Sequence, residues 1–149
     1  MLEFLRNLFA YDKWAIDRSL ATIQAPLNSR AQLMLSHILL AEKIWLTRLR
    51  GEDSSTINVF EELPLDECIR LSAELNTTYI DYIGSLAEND LDTLISYKTI
   101  KGDPFQTSIK DILTHVAIHG AYHRGQIAML VRDGGGNAIG TDFILFTRV

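Results

Sequence analysis

Four stretches of this chain, each about twenty residues long, repeat apolar side chains at three- and four-residue intervals. A stripe with that period covers one face of a helix, and the face has to be buried against another element. In the first stretch, Leu2 to about Gln24, the stripe is Leu5, Leu8, Phe9, Ile16, Leu20 and Ile23, with Tyr11 and Trp14 adding bulk. Arg6, Lys13, Asp17 and Arg18 take the other faces. Asp12 falls near the stripe's edge, where the spacing favours a solvated carboxylate over one that looks inward.

Pro26 breaks the first pattern. Ser29-Arg30-Ala31-Gln32 then reads as a capping box, opening a second helix that runs to Arg50 and stops at Gly51. Leu33, Leu40 and Ile44 mark its apolar face, and His37 lies on that face. Glu52 to Pro64 is polar and turn-rich, a connecting loop. The third helix spans Asp66 to about Ala87, with Cys68 or Ile69, Leu71, Leu75, Tyr79, Tyr82 or Ile83, and Leu86 as inward candidates. From Leu91 to Ile100 the residues turn β-branched and aromatic, Lys101-Gly102-Asp103-Pro104 punctuates, and Phe105 to Thr107 can return as a second strand. A small hairpin or an extended crossover fits. Ser108 with Asp111 makes an N-cap for the fourth helix, Ile109 to about Asp133, which three glycines close. Phe143-Ile144-Leu145-Phe146 in the tail is apolar enough to pack on the rest. These readings predict an all-α protein, residues 1–149 forming one four-helix-bundle domain. The long crossover between helices three and four permits a topology other than simple up-down-up-down.

A net charge of −5 offers no basic footprint for nucleic acid and no polybasic patch for an anionic membrane. No apolar run approaches the ~18 residues of a membrane span, and the first residues lack a signal peptide's basic start. The expected compartment is the cytoplasm. Cys68 is the only cysteine, which excludes an intramolecular disulfide and a zinc site built from several thiolates.

The remaining signal is His115-x-x-x-His119-x-x-x-His123 in the fourth helix. Residues four apart on a helix are neighbours about 5–6 Å apart, so two imidazoles can share an ion at zinc–nitrogen distances of roughly 2.0–2.1 Å. His115 and His123 are separated by a rise of about 12 Å, so one ion takes at most two of the three. His119 belongs to either pair, and spacing does not choose. If the second and fourth helices face each other, His37 can join as a third ligand, leaving a coordination position open as catalytic ions require. Such a neutral set suits zinc or nickel, with iron, cobalt, copper and manganese also admissible. The zinc-protease pattern His-Glu-x-x-His is absent, because Gly120, Ala121 and Tyr122 stand between His119 and His123. Gly120 and Gly125 read as packing residues. Neither a Gly-rich phosphate loop nor Gly-x-Ser-x-Gly occurs.

The run His115-x-x-x-His119-Gly-x-Tyr-His123-Arg124-Gly125-Gln126 resembles the signature of the DinB-like family of metal-dependent enzymes. Three further segments agree in order: Tyr11-x-x-Trp14-Ala15, Ser36-His37-Ile38-Leu39-x-Ala41-Glu42-x-Ile44-Trp45, and Thr141-Asp142-Phe143-Ile144. The resemblance implies a four-helix bundle with one long crossover, commonly a homodimer. It implies a divalent transition metal on His37, His119 and His123, and leaves His115 either packed beside them or as a group that orients the ligands. Tyr11, Asp12, Glu42, Tyr122, Arg124 and Gln126 become candidates for the surrounding pocket or for groups that orient the ligands. Characterised relatives include transferases and an isomerase that use low-molecular-weight thiols, so the implied activity is attack of a metal-activated thiol on a small electrophile. A hydrolase, or a non-catalytic metal-binding stress or sensor protein, is the alternative. The chain departs from the pattern at Ile16, where the family often has Asn, and at Ile139-Gly140, which replaces a proline.

Overall fold

A computed structural model describes residues 1–24 and 28–148; the break expected at Pro26 lies outside the described residues. The elements are α1 (Leu2–Leu20), α2 (Ser29–Leu49), α3 (Leu65–Ser85), a 3₁₀ turn (Glu88–Asp92), β1 (Leu94–Lys98), β2 (Pro104–Ser108), α4 (Ile109–Asp133) and a short α5 (Phe143–Phe146). α1 packs on α3 and α4, and α2 packs on the same two. The helices therefore run round the bundle in the order α1, α3, α2, α4, with α1 and α2 across the diagonal. Residues such as Leu5, Phe9, Leu35, Tyr79, Ile112 and Val116 fill the space between them. Among the described residues, no helix is long and apolar enough to cross a membrane.

The expected helices are present, with local corrections. α1 ends at Leu20 rather than Gln24. The capping box at α2 does not form. Asn28 occupies the cap position, and its Oδ1 accepts from the backbone N–H of Gln24. The Gln32 amide instead donates to the Leu63 carbonyl at 2.8 Å, tying α2 to the following loop. Leu33 points outward. In α3 the inward members of the ambiguous pairs are Cys68 and Ile83, while Ile69 is exposed. The crossover is a hairpin: β1 and β2 pair antiparallel, Tyr97 opposite Phe105, and Gly102 supplies the positive φ of 91° that its turn requires. Leu91 is not in the strand but is buried in the 3₁₀ turn. The Ser108 hydroxyl accepts from the Asp111 N–H, capping α4 as expected. In the tail, Phe143 meets the Tyr11 ring edge-on at 5.1 Å, and Phe146 lies 5.7 Å from Trp14.

Asp12 is the largest departure. It is 3% exposed and paired with Arg124 of α4, also buried at 1%. A carboxylate at the edge of an apolar stripe goes inward only when a charge waits for it there. That charge is 112 residues away in the chain.

Candidate metal centre

His37 reaches the centre from α2, and His119 and His123 from α4, the two helices being direct neighbours. The ring centroids are 4.4 Å apart for His119 and His123, 4.8 Å for His37 and His123, and 5.2 Å for His37 and His119. One nitrogen from each ring lies within 4.8 Å of the other two, so the three can hold a metal ion.

Hydrogen bonds prepare two of these rings for ligation. His37 Nδ1 is 3.1 Å from the Val59 carbonyl, which can only accept, so Nδ1 carries the proton and Nε2 presents its lone pair. His123 Nδ1 lies 2.7 Å from Gln126 Oε1 and donates there in the same way. The Nε2 atoms of His119 and His123 stand 3.1 Å apart. Two ligands at roughly 2.0–2.1 Å from one tetrahedral ion sit about 3.3 Å from each other, so the spacing is close to that of a shared cation. Burial, then the neighbouring His123, His37 and His115 rings, push His119 down to about 4. Burial also lowers His37. Imidazoles held neutral in this way are in the state that binds metal without first losing a proton.

His115 does not join the cluster of three. Its ring packs edge-on against Trp45 at 5.3 Å and beside His119 at 5.5 Å. Tyr122 is mostly exposed but meets the His123 ring edge-on at 5.0 Å. Phe60, from the loop after α2, stacks on His37 at 5.9 Å. Val59 and Phe60 were invisible in the sequence, since nothing in a polar loop singles out the carbonyl that orients a histidine.

Behind the histidines lies a buried set of charges. Arg124 pairs with Asp12 and sits over the Tyr11 ring at 5.2 Å, and the Tyr11 hydroxyl donates to the Thr141 carbonyl. Glu42 joins from α2: burial and the adjacent Asp12 carboxylate push it well above the usual carboxylate range. Asp12 is driven the same way by burial, against the pull of Arg124. Both carboxyls are thus pushed toward the protonated form, and one hydrogen shared between Glu42 and Asp12 relieves the pair. A Cβ on Gly120 would fall 2.7 Å from Asp12 Oδ1 and 2.8 Å from Arg124 Nη1, so the glycine makes room for the pair. Gly125 faces open space, which removes the packing reason for it. Tyr11, Asp12, Glu42 and Arg124 thus brace the helices that carry the three histidines, while Gln126 touches His123 directly. Ile16, the departure noted above, lies in the apolar core.

An open cleft of about 610 Å³ adjoins His37, between α2 and the hairpin. Trp45, Tyr97, Ile100 and Phe105 form much of its wall.

Residues 4–149 match the model of the DinB family. Protein DinB of Bacillus subtilis (strain 168) is 24% identical over 166 aligned positions, spanning 98% of this chain and 95% of that relative. The crystal structure of a DinB-like protein from Bacillus cereus ATCC 10987 superposes with a TM-score of 0.66 at 16% identity. It covers 88% of this chain and 91% of that one, a likeness in fold.

Proposed function

The chain belongs to the DinB family, and from that premise we propose that it is a metal-dependent transferase joining a low-molecular-weight thiol to a small electrophile. The observation that carries this reading is the convergence of His37, His119 and His123 beside an open cleft. Three neutral imidazoles leave room in the coordination sphere of a divalent transition ion, and zinc or nickel suits nitrogen ligands of this kind. When bound, the ion would serve as a Lewis acid that lowers the pKa of a coordinated thiol. The chain's own residues hold and aim that centre. Val59 fixes the His37 ring, Gln126 fixes His123, and Phe60 stacks on the His37 ring. The cleft beside His37 favours turnover over a closed, purely sensory site. Thiols of this class are kept reduced in the cytoplasm, where the reaction belongs.

Elemental analysis of untagged protein tests the centre. One divalent ion per chain is expected in the wild type and in His115→Ala, with loss of at least ~10-fold in affinity in His37→Ala, His119→Ala and His123→Ala. Thiol conjugation that persists in His119→Ala would overturn the enzymatic reading. Stoichiometric metal without any conjugation would return the protein to the sensor class.

We further propose a homodimer. Ile118, Tyr122 and Met129 form an exposed apolar stripe along α4, three turns long at helical spacing. It borders the histidine face and matches the kind of surface a second copy covers.

A further inference from the structure

Arg48 stands in the cleft that adjoins His37, and its surroundings are unusual for a surface arginine. The guanidinium lies 4.6 Å from the Trp45 ring centre and 4.7 Å from that of Tyr97, held between two aromatic faces. Nη2 donates to the Lys98 carbonyl at 2.9 Å and Nε to the Ser54 hydroxyl at 3.3 Å. These contacts fix its plane and leave Nη1 with no partner among the described residues. No carboxylate of the described residues lies within salt-bridge distance of it. A half-buried guanidinium clamped in place without a counter-ion is prepared for an anion from outside.

The rest of the cleft narrows the choice. Its walls are aromatic and aliphatic, and its other charges, Lys101 and Asp103, offset each other, so Arg48 sets the sign. Glu52 and Asp53 belong to a second cavity of about 450 Å³ that Arg48 also lines, and Asp53 is already engaged by Ser55 through its N–H and hydroxyl. Arg48 follows His37 by eleven residues of α2, a rise of about 16 Å. Arg48 folds back over Trp45, toward the His37 end of the helix, and both side chains line the same cleft.

We propose that this cleft selects the electrophile as an amphipathic carboxylate, with its apolar body against Trp45 and Tyr97, its carboxylate on Arg48 Nη1 and its reactive carbon toward the histidine cluster. The assignment rests on the enzymatic reading above and adds to it a class of substrate. A single charge-assisted bond in a partly desolvated site discriminates an acid from its neutral isostere by roughly 1.4 kcal/mol or more, which is tenfold.

The test is calorimetric titration with 4-phenylbutyrate, 4-phenylbutanamide and 4-phenylbutylamine, probes that share an aromatic body and differ in the head group. The acid is expected to bind wild type about 10-fold more tightly than the amide or the amine. Arg48→Met, which keeps the apolar stem, should abolish that preference while leaving the amide's affinity within about twofold. Arg48→Lys should retain part of it. His119→Ala should keep the preference in full, because the preference arises at Arg48 and not at an ion on the histidines. Equal binding of acid and amide, no measurable binding to wild type, an undiminished preference in Arg48→Met, or its disappearance in His119→Ala would each overturn the assignment. Thiol conjugation by the same preparations separates the two readings. A lost activity with an intact acid preference condemns the transferase alone. An intact activity with no acid preference condemns the carboxylate site alone.

Discussion

Glu42 shows how one side chain can tie stability to pH. Its carboxyl is held well above its ordinary 4.5, first by burial and then by the Asp12 carboxylate. Below that ordinary value, folded and unfolded chains both carry the proton, and nothing is lost. As pH climbs past it, the unfolded chain gives up the proton while the folded chain keeps it. Folding stability therefore falls with rising pH until the folded value is passed. Glu42→Gln keeps the shape and still offers a hydrogen to Asp12, but does not titrate. Its melting temperature should match the wild type only below pH 4.5, and by pH 8 exceed it by at least about 2–4 °C, the effect of roughly 1 kcal/mol. Thermal unfolding followed by circular dichroism across that range checks the sign. A gap that widens toward acid would mean that Glu42 is ionised in the fold.

At the scale of an element, α4 carries two glycines with opposite consequences. Gly120→Ala brings a methyl group to 2.7 Å from Asp12 Oδ1 and should cost about 1–3 kcal/mol. Gly125→Ala meets nothing within 4 Å and should add about 0.5–1 kcal/mol, since alanine is the better helix former. Urea unfolding of both variants decides whether the space around the buried pair is as tight as it looks. The same helix marks the limit of what periodicity reveals. Its span, its Ser108 cap and its glycine stop are local features, legible at a range of a few residues, and the hairpin followed from a change of period. The two failures nearest the site involve partners distant in sequence: Asp12 turns inward because Arg124 is there, and Gln32 leaves its cap for the Leu63 carbonyl. His37 was legible as a member of the histidine cluster through the family resemblance, because spacing within one helix says nothing about a ring on another.

For the whole molecule, the exposed stripe of α4 sets the expected assembly. Tyr122→Arg combined with Ile118→Asp places two charges where a second copy would lie, which should convert a dimer to a monomer in sedimentation velocity. Neither side chain belongs to the core, so the melting temperature of the monomer should change little. A wild type that sediments as a monomer at ~100 μM would dispose of the dimer. The bundle as a whole separates two tasks. The histidines and their braces belong to α1, α2 and α4, whereas Tyr97, Ile100 and Phe105 belong to the β1–β2 hairpin and its turn. A hairpin tolerates new side chains, and even new length, far more readily than packed helices do. Descendants of this chain can therefore reshape the hairpin wall of the cleft by rewriting some fifteen residues, while inheriting Arg48 and the histidine cluster unaltered.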